Sequence, residues 1–193
     1  MRETPNFTGW RVTVLHRPEA ATERLTRQLK LLGFHVTVQW AALDAKELPD
    51  IILVDADQGW DDLLPWKGAK APRPVVALLG SEAPGRIAWA MEQGTCTIIS
   101  KPIAASAVYP ALVMAVSIHR EREAVHLRLQ HLEERIRLRP LVYAAVQKIM
   151  AARQIDEEHA YSMLRNCAMQ KRLPMEQVAA SILGGAEPLP EAG

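Results

Sequence analysis

Apolar positions along this chain change period twice. Arg11–His16 is a β-branched run that reads as a strand, and Arg17–Gly33 sets Leu25, Leu29 and Leu32 on one helical stripe. His35–Trp40 alternates as a second strand. Ile51–Val54 and Val75–Leu79 are apolar on both faces, the pattern of strands in the middle of a parallel sheet. Ser81–Gly94 reads as a helix, Thr95–Ser100 as a fifth strand, and a further helix begins after Pro102. Ala41–Leu48 and Asp61–Lys70 are expected to form short helices, the second interrupted by Pro65. Strands alternating with helices over roughly 110 residues predict an α/β domain with a doubly wound, parallel, five-stranded sheet.

The period then lengthens. Val113–Arg139 holds neither Gly nor Pro, and Ile118, Val125, Leu129, Leu132 and Ile136 recur at steps of three and four once Arg122 takes one polar place. A narrow seam flanked by Glu121, Glu123, Glu133 and Glu134 predicts a parallel coiled-coil homodimer, with Arg122 weakening the seam and tuning its register. A single long helix lying along its own α/β domain is the alternative. Pro140 lacks an N–H and crowds the preceding turn, so a kink or break is expected at Leu138–Pro140.

Three short stripes follow. Val142, Ala145, Val146 and Ile149 form the first; Ala160, Met163, Leu164, Cys167 and Ala168 the second; Met175, Val178, Ala179, Ile182 and Leu183 the third. Helices that short stay dry only by facing one another, which predicts a three-helix bundle. Asp156 suits an N-cap with Glu157 and Glu158 in the first turn, Pro174 the first position of the last helix, and Gly184-Gly185 its end. The expected division is a tail at 1–9, the α/β domain at 10–112, the coiled coil at 113–139, the bundle at 140–185 and a tail at 186–193.

A formal net charge of +1 in 193 residues leaves any nucleic-acid footprint local. The middle bundle helix supplies one. Tyr161, Arg165 and Arg172 fall nearly on one line with Lys171 beside them, and Lys148 is a secondary candidate. A ring interleaved with guanidinium groups suits looped RNA, where bases stack and cations hold phosphates. The plainer alternative makes Tyr161 a packing residue and the arginines a solubilising face. Cys96 and Cys167 read as buried thiols of a reducing compartment. Trp40, Trp60, Trp66 and Trp89 are expected mostly in the core, and any left exposed between Asp57 and Trp66 would mark a protein-docking surface. No nucleophile–base pair, phosphate loop or metal-spaced His/Cys set stands out, so neither enzymatic activity nor a metal or cofactor is expected. No apolar run approaches a membrane span and no secretory leader is recognisable, so the expected location is cytoplasmic.

Ala145–Met150, Ala160-Tyr161, Leu164-Arg165, Ala168-Met169, Arg172 and Val178-Ala179 together resemble the ANTAR domain, an RNA-binding antitermination module. Three positions depart from the family pattern: Val146 stands where it has Lys, Gln154 where it usually has a turn Gly, and Leu141 where it often has Arg. The first domain resembles a response-regulator receiver, with Pro49-Asp50-x-x-x-x-Asp55 as its third strand and Lys101-Pro102 after its fifth. That resemblance puts Asp55 at the phosphoacceptor position, with Asp57 and Lys101 nearby. Phosphorylation in that family uses a divalent cation held by an acidic pair after the first strand, where this chain has His16 and Arg17. The hydroxyl position holds Leu79. The site therefore reads as vestigial and the domain as a pseudo-receiver used for docking.

The order pseudo-receiver, coiled coil, ANTAR module resembles the antitermination regulators of the amidase-operon type. The resemblance implies a homodimer that binds hairpins in a leader transcript and prevents a terminator from forming. It also implies control by a ligand-sensing negative-regulator protein docking on the pseudo-receiver. A phosphorylation-controlled response regulator, a DNA-binding regulator using the last helices as a helix-turn-helix, and a pure scaffold are the other readings.

Overall fold

The structure is a computed structural model describing residues 4–66 and 71–190. Its elements are β1 (Arg11–Leu15), α1 (Ala20–Leu31), β2 (His35–Gln39), β3 (Ile51–Asp55), β4 (Val75–Leu79), α2 (Pro84–Glu92), β5 (Thr97–Ser100), α3 (Ala105–Arg153), α4 (Glu157–Lys171) and α5 (Met175–Leu183). They form two compact units, residues 1–124 and 125–193, each described separately below.

In the first unit all strand pairs are parallel and the order is β2-β1-β3-β4-β5, the flavodoxin-like arrangement. Period-two alternation divides the core between the two faces of the sheet. Val12, Val14, Ile51, Leu53, Val76 and Leu78 meet Leu25 and Leu29 of α1 and Val108, Leu112, Ala115 and Val116 of α3. Leu15, Ile52, Val54, Val75 and Ala77 face the other way, onto Leu43, Leu63, Leu64, Trp89 and Ala90. That second face is covered by α2 and irregular chain. Neither expected short helix forms among the described residues: 41–48 is turn and extended chain, 61–66 is turns and bends, and the end of the second lies outside the described residues. Leu43, Leu63 and Leu64 bury their side chains without a helix, with the Leu43 amide donating to the Leu63 carbonyl at 3.0 Å and the Leu63 amide to the Trp60 carbonyl at 3.1 Å.

The long helix corrects two expectations. α3 runs without interruption through Leu138–Pro140 to Arg153. Pro140 frees the Ile136 carbonyl, but every residue from Glu121 to Arg137 is exposed, so water can satisfy that carbonyl and the helix continues. Nor does Arg122 serve a seam. Its guanidinium donates to the Gly94 carbonyl at 3.1 Å and to the Thr95 carbonyl at 3.4 Å, in the turn between α2 and β5. Ile118 is half-buried, and of the positions expected to form a seam those from Val125 onward are exposed.

In the second unit the three expected stripes meet. Ala145, Val146, Ile149, Ala160, Leu164, Ala168, Val178, Ala179 and Ile182 are buried together, with Val142, Met163, Cys167, Met175 and Leu183 packed around them. The Asp156 carboxylate accepts the His159 amide at 2.8 Å and caps α4. Pro174 occupies the N-cap rather than the first turn of α5. Gln154 and Arg172, which end α3 and α4, take left-handed backbone at φ 53° and 54°.

Candidate nucleic-acid interface

α4 owes its placement to Ala160, Leu164 and Ala168, which dock it on the bundle core and turn the opposite face outward. Tyr161 is 45% exposed on that face, and Arg165 and Arg172 are exposed. None of the three makes a side-chain hydrogen bond or ion pair among the described residues. Met169, one turn beyond Arg165, is also exposed and extends the line; periodicity alone did not single it out. The packing alternative for Tyr161 therefore covers only part of its ring.

The two lysines are engaged. Lys148 Nζ donates to the Ile182 carbonyl at 2.9 Å, closing the C-terminal end of α5. Lys171 Nζ sits 2.6 Å from Glu187 Oε2, and the Glu187 hydrogen bond and charge raise the lysine pKa. Glu176, in the first turn of α5, is buried and meets Arg135 Nε of α3 at 3.4 Å. Nothing in the sequence marked that pair, since an acidic residue in a first helical turn is ordinary.

Along the stalk portion of α3, Val125 is 53% exposed, Leu129 52%, Leu132 43% and Ile136 64%. Ile118, the remaining seam residue, belongs to the first unit.

The first unit brings Asp55, Asp57 and Lys101 together at the carboxyl end of the sheet. Asp55 is fully buried and pairs with Lys101 Nζ at 2.7 Å; the same ammonium reaches Asp57 at 3.1 Å. Burial acts to raise the Asp57 pKa, but the amides of Gly80 and Ser81 and the Lys101 ammonium outweigh it, so the carboxyl sits below its ordinary value. The Lys101–Pro102 peptide is cis. His16 is the partner that sequence reasoning treated only as a missing ligand. It is buried, its Nδ1 donates to the Arg17 carbonyl at 2.8 Å, and its Nε2 faces Asp55 Oδ2 at 3.3 Å. The imidazole thus stands beside the carboxylate where a cation-dependent site would place an oxygen ligand. Elsewhere in the same unit Trp40 and Trp60 meet edge-to-face at 5.0 Å, Arg17 lies over Trp40, and Trp60 is 39% exposed. Burial raises the Cys96 thiol pKa and keeps it protonated.

Comparison with known proteins agrees with both halves. The family model "AmiR, N-terminal" matches residues 10–116, and the ANTAR domain model matches residues 130–183. The aliphatic amidase regulator of Pseudomonas aeruginosa is 28% identical over 177 residues, covering 90% of each chain. The transcriptional regulatory protein PdtaR of Mycobacterium tuberculosis is 27% identical over 147 residues, covering 74% of this chain and 72% of its own. Among solved structures, full-length FixJ from B. japonicum aligns with a TM-score of 0.50 at 15% identity, over 94% of this chain and all of that one, a likeness of fold. No helix among the described residues is long and apolar enough to cross a membrane.

Proposed function

We propose, given that this chain belongs to the AmiR N-terminal domain family and ends in an ANTAR domain, that it is an RNA-binding transcription antitermination regulator acting on hairpins in a leader transcript. The observation that carries the reading is the outward face of α4, where Tyr161 and Arg165 lie exposed and uncommitted beside Arg172. Tyr161 offers a stacking surface for an unpaired base, and Arg165 and Arg172 hold phosphates or loop bases. Lys171 adds a cation once freed from Glu187, while Lys148 acts mainly on α5. Holding a hairpin in this way competes with the folding of an overlapping terminator.

One bundle with a few cationic contacts binds weakly, with a non-specific Kd of roughly 10⁻⁴–10⁻⁶ M at physiological salt. The exposed stripe Val125, Leu129, Leu132 and Ile136 fits a second copy of this chain. A parallel homodimer carries two bundles to two hairpins, raising avidity by roughly 10²–10⁴ where the spacing allows. Control comes from a protein partner rather than from phosphate: His16 and Arg17 stand where an acidic, cation-holding pair is needed, and the exposed Trp60 of the same unit offers an anchor. A ligand-sensing negative regulator is the partner this arrangement suits.

The test is equilibrium binding of the full chain to a pool of stem-loop RNAs with randomised loops, against duplex DNA. Stem-loop preference is expected, and Tyr161→Ala should weaken it by about 1–3 kcal/mol if one base stacks there. Preference for the duplex, or full affinity in Arg165→Ala/Arg172→Ala, would refute the reading.

A further inference from the structure

We infer that the segment after α5 is a displaceable cover over part of the RNA-facing surface, with the Glu187 carboxylate standing where a transcript phosphate binds. This rests on the reading of α4 as the RNA face and adds a regulatory contact to it. Gly184 closes α5, and Gly185 at φ +74° turns the chain back, with the amides of Ala186 and Glu187 both donating to the Ser181 carbonyl. That turn delivers Glu187 onto Lys171 at the end of α4, 2.6 Å from its ammonium. Beyond it, Leu189 packs against the bundle core, and Arg153 donates to the carbonyls of Leu189 and Pro190 at 3.5 and 3.1 Å. The Glu187-Pro188-Leu189-Pro190 stretch therefore engages Lys171 and Arg153 at once, beside Arg172.

The chemistry favours exchange over permanent burial. Lys171 keeps 40% of its side-chain surface exposed although the Glu187 Oε2 it meets is shielded from solvent, and an ammonium that accessible can trade one oxygen partner for another. A phosphate offers the ammonium the same kind of oxygen ligand. An RNA chain offers several phosphates in series, and its counterion release is a gain that the single internal carboxylate lacks. The leucine anchor returns the segment when RNA leaves. Such a cover lowers affinity for stray polyanions while leaving a structured hairpin, with several simultaneous contacts, able to displace it.

The test measures binding of the full-length protein to the randomised-loop stem-loop pool across a salt series, for wild type, Glu187→Gln, Lys171→Gln and the double variant. Glu187→Gln should bind roughly two- to fivefold tighter, the range expected on releasing one exposed ion pair. Lys171→Gln should bind more weakly, with a log–log salt slope shallower by about 0.7–0.9. The double variant should match Lys171→Gln. Glu92→Gln, which removes an equal charge from the exposed end of α2 in the first unit, sets the effect of net charge alone. Amide exchange at 186–190 should quicken when RNA is added. A Glu187→Gln gain no larger than that of Glu92→Gln, or one that persists without Lys171, overturns the cover while leaving RNA binding intact. Failure of the wild type to bind any stem-loop at low salt overturns both.

Discussion

Arg172 ends α4 in left-handed backbone at φ 54°, ψ 36°; its amide donates to the Met169 carbonyl and the next amide, Leu173, to that of Ala168. That geometry usually takes glycine, because a side chain there strains against the backbone by about 1–2 kcal/mol. Glycine in turn loses more chain entropy on folding, about 0.5–1 kcal/mol. Arg172→Gly should therefore stabilise the bundle by roughly 0.5–1 kcal/mol net. Gln154 at φ 53°, which occupies the family's turn-glycine position, should give the same gain when changed to Gly. The two differ in function: only Arg172 carries a charge on the RNA face, so only its loss should flatten the salt slope of RNA binding, by about 1. All five tryptophans lie at or before Trp89, so fluorescence is blind to the bundle. Amide exchange within α4 is the assay, and both variants should slow it about two- to fivefold. Unchanged RNA affinity in a stabilised Arg172→Gly would remove Arg172 from the interface. No slowing in either variant would refute the strain argument.

Leu129→Lys places a charge in the exposed stripe and should split the dimer in sedimentation, lowering affinity for a two-hairpin transcript by roughly 10²–10⁴ while one-hairpin binding holds; an intact dimer would argue against the seam. Lys101→Ala strips the buried Asp55 carboxylate of its closest partner and should destabilise the first unit by about 3–5 kcal/mol in tryptophan-monitored denaturation. Incubation with acetyl phosphate and a divalent cation should leave the intact mass unchanged, since His16 and Arg17 replace acidic ligands; an added phosphoryl group at Asp55 would contradict this. The Asp156–His159 pair sets a pH window: the His159 amide and ring hold the Asp156 pKa below 3.8, and Asp156 holds that of His159 above 6.5. The depressed acid contributes above its unfolded value and is lost on acidification. The raised base contributes below its unfolded value and is lost as pH climbs through its folded one. Protection of the first turn of α4 should be greatest between 3.8 and 6.5 and decline as pH rises above 6.5, and His159→Ala should abolish that decline.

Periodicity determined most of the fold. Alternating and doubly apolar runs identified all five strands, and the three stripes from Val142 to Leu183 named the bundle core residue by residue, because burial follows side-chain direction and direction follows local backbone period. The outward position of Tyr161 and Arg165 follows from the same geometry, read from the opposite face of the helix. Tertiary structure alone decided the rest. Whether a chain passes helically through Pro140 depends on water around the freed carbonyl, and whether 41–48 coils depends on what the second sheet face needs filled. Arg122 reads locally as a seam residue and His16 as a missing ligand, and nothing local marks Glu176 or Glu187; each acquires its role from a partner 16 to 41 positions away in the chain. Such pairings are fixed by how elements pack, a long-range outcome that local period does not encode.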